Sequence, residues 1–376
     1  MAMSAIRAGL RPWCADLFAD ADLRAVAPAV QLPMEEYPDG FRRLLEAAPK
    51  VPVLYTGGLE NAPRLLDAIR RERPLWGTGP EVLRQVRSPF AVAGWLRDAK
   101  LPSLDVYRSP NEIPRGMKCL RKSFRSAGGL GVGFHDGEHR RGCYYQRFVE
   151  GECFSALYID GRFVAATEQL TDGFRYAGTI APREAPELLR TIGEVIAERG
   201  GVRGLWGLDG IIAGGVPWLV EVNPRYPASA EVVELATGTA LLGWHENGYS
   251  RGRLPPTDGT PSRRCAAALP RKGGGDKSDP SRFFGPLPPC GGGLGWGVAS
   301  AATVVGKRVV YAVRPFTYAG SSPLPFDPWT VPAFADIPAP GTAFEAGQPI
   351  LTVFAEGGTR DEVRARLDAA SGAFGR

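Results

Sequence analysis

Short apolar runs alternate with stretches of helical periodicity over the first hundred residues. Residues 3–10 predict a helix, and residues 13–18 and 51–55 predict two short strands. Further helices are expected from Pro63 and from the Ser88-Pro89 pair, because serine caps a helix start and proline fits its first turn. This alternation predicts a parallel α/β layer. Such a unit ordinarily opens with a strand and a glycine turn, so we expect either an unusual sheet or one that lacks its first strand.

A β-rich pattern with one long helix occupies residues 116–223. Residues 154–159 and 162–167 flank Asp160-Gly161, a dipeptide that is typical of a two-residue hairpin turn. Residues 184–199 carry one apolar helical stripe that ends at a glycine pair. The remaining predicted strands span residues 117–124, 144–149, 205–213 and 216–223, and the last two are joined through Gly214-Gly215.

The last third of the chain changes composition. Residues 251–297 are rich in glycine and proline, which predicts a loop or a disordered segment without secondary structure. Beyond it, residues 308–313 and 350–355 predict strands, and residues 360–370 predict a terminal helix. A small β-rich module therefore closes the chain.

Composition narrows the classes of partner. A chain of 376 residues predicts two or three subdomains. Its 45 basic and 40 acidic residues are intermixed, so no nucleic-acid partner is expected. No apolar run has the length of a membrane helix and no signal-peptide pattern is visible, which predicts a cytoplasmic protein without a membrane partner. The six scattered cysteines predict free thiols, and the His135 and His139 pair lies in a polar context that does not favour a metal site.

The strand at residues 216–223 ends in a carboxylate, an amide and a guanidinium. These groups are Glu221, Asn223 and Arg225, and Asp209 lies on the preceding strand. The two carboxylates face the same side only if the turn is a three-residue loop centred on Gly215. Two close carboxylates repel each other, and a cation bound between them would relieve this repulsion. Their hard oxygen ligands suit Mg²⁺. This strand therefore predicts a metal and phosphate site.

Two upstream segments support that prediction. Lys122 precedes a glycine-rich turn whose backbone N–H groups can approach an anion, while the lysine supplies a point charge. The strand around Gln146, Phe148 and Val149 could present backbone groups and apolar surface to an adenine ring. Either segment alone is more typical of an ordinary hairpin or strand.

The three segments in this order resemble the ATP-grasp superfamily, and specifically its biotin-carboxylase-like carboligases. The resemblance implies an α/β fold that is α+β in the ATP-grasp lobes. Its parts are an N-terminal preATP-grasp α/β domain (1–101), an ATP-grasp lid (102–150), a large lobe (151–250), a linker or insertion (251–302) and a β-rich module (303–376). The resemblance also implies that Asp209, Glu221 and Asn223 hold two Mg²⁺ ions and that Arg225 stabilises the phosphorylated reactant. The residues that it assigns to ATP are Lys122, Ser126, Gly128, Gly129, Gly131, Gln146, Phe148 and Val149.

The chain departs from the family pattern at several positions. Many relatives have a second phosphate-binding lysine near Arg87, which is the candidate replacement here, and glutamate where this chain has Gln146. The run from Tyr226 to Glu231 lacks the Gln-Val-Glu with which biotin carboxylases deprotonate bicarbonate. Biotin carboxylation is therefore not expected.

The resemblance predicts an ADP-forming ligase that activates a carboxylate as an acyl phosphate and joins it to an amine. Family context suggests cofactor biosynthesis, such as a glutamyl amide of a one-carbon carrier. Two alternatives stay open, namely ATP-dependent carboxyl or formyl transfer and a degenerate ATP-binding scaffold. Small-molecule partners are expected, and a homodimer is compatible with this prediction. The weaker candidates for substrate contact are Arg175, Tyr176 and Ser229.

Overall fold

The computed structural model describes residues 1–125, 128–250, 303–320, 327–372 and 374. Within these residues the chain forms an N-terminal α/β part, a small antiparallel sheet and a large antiparallel sheet. The predicted mixed α/β and α+β class is therefore confirmed. The segment predicted to be a loop, residues 251–297, lies outside the described residues, and the five domain boundaries stay predictions.

The N-terminal part, residues 1–98, combines short helices with a parallel strand pair. Strands β1 (Cys14–Asp16) and β2 (Ala29–Gln31) run in parallel, as an α/β layer requires. At the start of the sixth helix, the Ser88 Oγ accepts a hydrogen bond from the Ala91 N–H at 3.3 Å, which confirms the expected cap. The helices are α1 (Ala2–Arg7), α2 (Ala21–Val26), α3 (Gly40–Ala47), α4 (Pro63–Glu72), α5 (Pro80–Val86) and α6 (Pro89–Asp98).

The strand predicted at residues 51–55 is wrong in extent. Only Val53 forms a β-bridge there, in parallel with Leu75. Pro52 has no N–H to donate to a ladder, which limits pairing at this point. A cavity of about 1810 Å³ is lined on one side by β1 and on another by residues 51–56. In this part of the chain, the β1–β2 pair and the Val53–Leu75 bridge are both parallel, but they do not join into one sheet. This is an unusual arrangement for a parallel layer.

A small four-stranded antiparallel sheet follows. Its strands are β3 (Val106–Tyr107), β4 (Cys119–Ser123), β5 (Gly133–Phe134) and β6 (Cys143–Arg147), in the order β3-β6-β4-β5. Lys122 pairs with Tyr144, and Leu120 pairs with Gln146. Lys122 and Gln146 are therefore diagonal neighbours on adjacent strands, close enough for their side chains to meet.

A large eight-stranded sheet follows, in the order β11-β10-β7-β8-β9-β12-β16-β14, and β13 and β15 form a separate two-stranded sheet. The Asp160-Gly161 hairpin is confirmed, because Ile159 pairs directly with Arg162. Strands β12 and β16 extend this sheet from the C-terminal part of the chain, and β12 pairs with β9. The strands of this part of the chain are β7 (Glu152–Ile159), β8 (Arg162–Asp172), β9 (Arg175–Arg183), β10 (Leu205–Ala213), β11 (Val216–Asn223), β12 (Val304–Tyr311), β13 (Phe316–Thr317), β14 (Phe334–Ala335), β15 (Ala343–Phe344) and β16 (Pro349–Gly357).

Helices cover both faces of the large sheet. Helix α7 (Leu188–Gly200) begins later than the predicted residue 184 and packs on the face that carries Tyr158 and Trp206. Helix α8 (Ala230–Thr237) packs on the opposite face against Leu157 and Val305. The two remaining helices are α9 (Leu241–Ser250) and α10 (Arg360–Gly372). Among the described residues, no helix is long and apolar enough to cross a bilayer.

A buried histidine connects α9 to the start of the large sheet. The Leu205 N–H donates to His245 Nδ1 at 2.8 Å, and His245 Nε2 lies 3.0 Å from the Trp76 carbonyl oxygen. Nδ1 must therefore be an acceptor and Nε2 a donor, which is the neutral imidazole. Burial lowers the pKa of His245 to about 4. Protonation of His245 would add an N–H at Nδ1. This donor would face the Leu205 N–H, and the hydrogen bond between the two residues would be lost.

This histidine predicts a pH-dependent stability. Because its folded pKa of about 4 lies below the ordinary value of 6.5, its contribution is complete above about pH 6.5 and is lost as the pH falls toward about 4. His245→Asn should flatten the fall in unfolding free energy across this range, measured by urea denaturation. His139→Asn, at an exposed position, is the control. An unchanged pH dependence in His245→Asn would contradict this assignment.

Candidate functional site

The β10–β11 hairpin places two acidic side chains directly opposite each other. Its turn is the two-residue Gly214-Gly215, with Ala213 paired to Val216, so the three-residue loop expected from the sequence is wrong. A β-bulge between Asp209 and Gly210 shifts the register, and Asp209 then pairs with Glu221. A bulge accommodates one extra residue, here Val220, and changes which side chains share a face. The two carboxylates therefore share one face as predicted, but the β-bulge brings them together and not a three-residue loop.

Gly210 is required at this bulge for steric reasons. A Cβ there would lie 2.6 Å from the Phe154 ring and 2.6 Å from the Trp218 carbonyl oxygen. A glycine inside a strand pattern is a recognised signal for a bulge. The sequence therefore contained the signal for the observed register, at Gly210 rather than at Gly215.

Asp209 is held by two side-chain donors. Its Oδ1 accepts from Ser155 Oγ at 2.6 Å, and its Oδ2 accepts from Asn223 Nδ2 at 2.7 Å. Burial and the nearby charge of Glu221 raise the pKa of Asp209 to about 6, against the opposing effect of these hydrogen bonds. The acidic pair therefore carries a repulsion that a cation between the two carboxylates would relieve.

Arg225 connects this acidic pair to the N-terminal part of the chain. Its Nη2 donates to Asn223 Oδ1 at 3.0 Å, and its Nε donates to Glu60 Oε1 at 3.0 Å. Both members of the Arg225–Glu60 ion pair are largely removed from solvent, with 14% and 4% of their side chains exposed. Glu60 was not predicted at this site, because it lies in a short segment after two glycines and matches no motif.

Lys122 and Gln146 meet between the two sheets. Lys122 Nζ donates to Gln146 Oε1 at 3.2 Å, and Gln146 Nε2 donates to the Val220 carbonyl oxygen at 3.2 Å. Val220 is the extra residue of the bulge, so its carbonyl is a natural acceptor outside the regular ladder. Gln146 thus connects the small sheet to β11, the strand that carries Glu221. Both side chains are buried.

One cleft is lined by Glu60, Gln146, Glu221 and Arg225, whereas Asp209 and Lys122 lie behind its lining and are bonded to Asn223 and Gln146. Its polar lining includes residues from the N-terminal part, the small sheet and the large sheet, and its space amounts to about 760 Å³ including the open mouth. Its polar and charged lining residues are Glu60, Arg87, Ser103, Ser123, Gln146, Glu221, Asn223 and Arg225.

The glycine-rich turn contacts the large sheet. The Tyr176 N–H donates to the Gly128 carbonyl at 3.1 Å, and Gly129 has a φ of +80°. A Cβ on Gly129 would lie 1.8 Å from the Phe174 carbonyl oxygen, so only glycine fits there. Ser126, also assigned to nucleotide binding, lies outside the described residues.

Several predicted residues lie outside the cleft lining. Phe148 packs edge-on against Phe134, with ring centroids 5.1 Å apart, and Val149 is half-buried beside it. Arg175 lies over the Tyr311 ring at 3.6 Å and donates to the Gly347 carbonyl. Ser229 is buried just before α8. Their roles in nucleotide or substrate binding stay predictions.

A second polar group lies near Asp209. The Tyr176 hydroxyl is buried without a hydrogen-bond partner among the described residues, and burial raises its pKa to about 12. Lys307 Nζ donates to Glu231 Oε2 at 2.9 Å. Burial opposes ionisation of Glu231, but Lys307 and other nearby positive charges, including Arg7, together outweigh it and lower the pKa of Glu231 to about 2. Lys307 matches no sequence motif and was not predicted to have a role.

Carboxylates and one amide are the ligands that this site could offer to a metal. Among the residues described, no group of three or more histidine, cysteine, aspartate or glutamate side chains is arranged to hold a metal ion. Asp209 and Glu221 supply two carboxylates. The Asn223 oxygen accepts from Arg225 in this arrangement, so it would have to turn to act as a ligand.

Comparison with known proteins identifies the middle of the chain. A protein-family profile described as an ATP-grasp domain matches residues 89–229. This span contains Lys122, Gln146, Asp209, Glu221 and Arg225, whereas Glu60 lies outside it. The resemblance to ATP-grasp domains inferred from the sequence is therefore confirmed over these residues.

Solved structures share the fold over nearly the whole chain. A biotin carboxylase complex from Campylobacter jejuni has a TM-score of 0.65 and 12% identity, covering 98% of this chain and 88% of that one. N5-carboxyaminoimidazole ribonucleotide synthetase from Thermus thermophilus has a TM-score of 0.60 and 14% identity, covering 100% and 94%. The biotin carboxylase domain of 2-oxoglutarate carboxylase from Hydrogenobacter thermophilus, in complex with MgADP, ADP and bicarbonate, has a TM-score of 0.63 and 12% identity, covering 98% and 85%. At these identities the likeness shows the fold alone.

One curated relative matches over a shorter stretch. An uncharacterised protein from Methanocaldococcus jannaschii is 30% identical over 98 residues, which are 26% of this chain. The match spans about a quarter of that protein, 25% of its length.

The repulsion within the acidic pair predicts a measurable shift. Glu221→Gln should lower the pKa of Asp209 from about 6 toward its ordinary 3.8, followed by carbon-13 NMR of the carboxyl group. Because the folded pKa is raised, the metal-free protein loses stability as the pH rises from about 4 to about 6. The variant should reduce that loss and raise the melting temperature at pH 7 by roughly 2 °C. Glu150→Gln, at an exposed position, is the control, and an unshifted Asp209 titration would refute the coupling.

Proposed function

We propose that this chain, whose residues 89–229 match an ATP-grasp domain, is an ADP-forming ligase that activates a carboxylate with Mg-ATP and joins it to an amine. The observation that carries the proposal is the pairing of Asp209 with Glu221, which lines one cleft together with Arg225 and with Gln146, the hydrogen-bond partner of Lys122. The relatives of the same fold are named as a synthetase and as carboxylases, one of them in complex with MgADP. Their names support ATP-dependent carboxylate chemistry as the class.

The acidic pair fits a divalent cation. Two close carboxylates, one with its proton affinity raised by burial and by the other's charge, are the donor set that Mg²⁺ prefers, and Asn223 would complete it with an amide oxygen. Two ions shared among these residues are part of the proposal. Bound there, the metal would supply positive charge to the phosphate oxygens of the nucleotide.

Lys122 and the glycine-rich turn would bind the phosphates from the opposite side. The ammonium of Lys122 is buried and has Gln146 as a neutral partner, so its charge is available to an anion. The turn contacts the large sheet through Gly128 and Gly129, which supports a position close to the acidic strand. The strand with Gln146, Phe148 and Val149 would contact the adenine.

Arg225 is the residue proposed to hold the activated carboxylate. Its guanidinium lies beside Asn223 and Glu60 and lines the cleft, where it can stabilise the negative charge of an acyl phosphate. No nucleophilic side chain is needed, because positioning and charge stabilisation account for phosphoryl transfer. The buried cleft would exclude water from the reactive anhydride. The identity of the carboxylate, and a place in the biosynthesis of a glutamyl amide, belong to this proposal.

The decisive experiment traps the activated carboxylate. The protein is incubated with Mg-ATP, pooled carboxylic acids and hydroxylamine, and both hydroxamate and ADP are measured. We expect equimolar hydroxamate and ADP with at least one pool, and a loss of about 100-fold or more in Glu221→Gln, because the charge that stabilises the transferred phosphoryl group is removed. Glu150→Gln should match the wild type. ADP release that depends on bicarbonate would indicate carboxyl transfer instead, and no ADP release with any pool would indicate a non-catalytic ATP-binding protein.

Lys122 should act mainly on the nucleotide. Lys122→Met removes a buried charge while keeping the apolar stem, so we expect the KM for ATP to rise by about tenfold, the equivalent of one charge-assisted hydrogen bond. Lys118→Met, which lies just before β4 and is exposed to solvent, is the matched control. Equal KM values for both variants would move the phosphate contact to another residue.

A further inference from the structure

Glu60 has one oxygen in use and one without a partner. Its Oε1 accepts from Arg225 Nε at 3.0 Å. Its Oε2 is buried and has no hydrogen-bond partner among the described residues, although the side chain lines the same cleft as Glu221 and Arg225. A buried carboxylate oxygen left without a donor costs free energy, so its retention beside a reaction site calls for a ligand.

The backbone around Glu60 is fixed by a neighbouring cation. Arg87 Nη1 donates to the Glu60 carbonyl oxygen at 3.0 Å and to Asn61 Oδ1 at 2.6 Å. This clamp holds the short helical turn Leu59–Asn61 against the end of α5. Glu60 therefore points at Arg225 from a fixed position rather than from a free loop.

The described groups around Glu60 leave its second carboxylate oxygen without a hydrogen-bond donor. Arg225 balances its negative charge, and Arg87 bonds to its backbone rather than its carboxylate. The other titratable groups that face it are the phenols of Tyr37 and Tyr55, whose pKa values are raised, first by burial and then by Glu60. Both phenols are thus neutral near pH 7. A ligand at Oε2 must bring an N–H or O–H group of its own.

We propose that Glu60 Oε2 binds the amine substrate, by accepting a hydrogen bond from its N–H group. This inference rests on the proposed function, in which Arg225 holds the acyl phosphate. Because the same carboxylate bonds Arg225 through Oε1, an amine at Oε2 would lie beside the activated carbonyl, which is the proximity that amide formation requires. The ligand class is a primary amine, and Glu60 sets its orientation.

The test compares two nucleophiles in one variant. Glu60→Gln offers an amide N–H where the amine needs an acceptor, while the amide oxygen can still accept from Arg225. With pooled amino acids and simple primary amines as probes, we expect the KM for the amine to rise by at least about tenfold. Capture of the acyl phosphate by concentrated hydroxylamine, a small nucleophile supplied in excess, should fall by a much smaller factor. Glu46→Gln on the exposed face of α3 is the matched control.

The outcomes separate this inference from the function on which it rests. Wild-type protein that forms no hydroxamate would refute the proposed function. Hydroxamate formation with equal losses for both nucleophiles in Glu60→Gln would overturn the amine assignment, since Glu60 would then only support Arg225. If Glu60→Gln does not fold, as judged by circular dichroism, Glu60→Asp replaces it. This shorter carboxylate should raise the KM for the amine relative to the wild type while hydroxylamine capture changes less, and an unchanged ratio of the two nucleophiles in Glu60→Asp would also overturn the assignment.

Discussion

The β-bulge at Asp209 and Gly210 determines how the rest of the site is arranged. In a regular hairpin with this turn, Asp209 would pair with Val220, and the two carboxylates would lie on opposite faces of the sheet. The shifted register places Asp209 and Glu221 together, and it leaves the Val220 carbonyl for Gln146. One extra residue in β11 therefore creates the acidic pair and attaches the small sheet to it.

The acidic pair is also part of a polar row that crosses an otherwise apolar sheet. Ser155 lies between Asp209 and Thr167 in the register, and Thr179 Oγ1 donates to Thr167 Oγ1 at 2.8 Å. Lys307, on β12, pairs with Thr179, on β9, and lies at the far end of the row. Two residues away on the same face, Leu157 and Val305 pack under α8. The C-terminal strands thus bring a buried cation to the side of the sheet that carries the proposed metal site.

Much of the secondary structure could be predicted from local patterns in the sequence. The hairpin at Asp160-Gly161, the helix after Ser88 and the strands that carry the acidic residues follow from turn chemistry and periodicity, which act over a few residues. The pattern failed where pairing partners decide the outcome. Residues 51–55 are apolar, but a strand needs a neighbour, and only Val53 has one in the structure. The three-residue loop was wrong because the bulge, several residues from the turn, corrects the register.

The residues of the candidate site also divide into those that a local sequence pattern identifies and those that it does not. Asp209, Glu221, Asn223 and Arg225 lie within one hairpin and its continuation, so their spacing along the chain reports their proximity. Glu60 is 165 residues from Arg225 in the sequence and comes from a different part of the fold, so no local pattern could link them. Only the ion pair at 3.0 Å does so. Because Arg225 is held at once by Asn223 and by Glu60, the guanidinium is oriented before any ligand arrives. The N-terminal part of the chain therefore orients a residue in a cleft whose proposed metal ligands it does not contain.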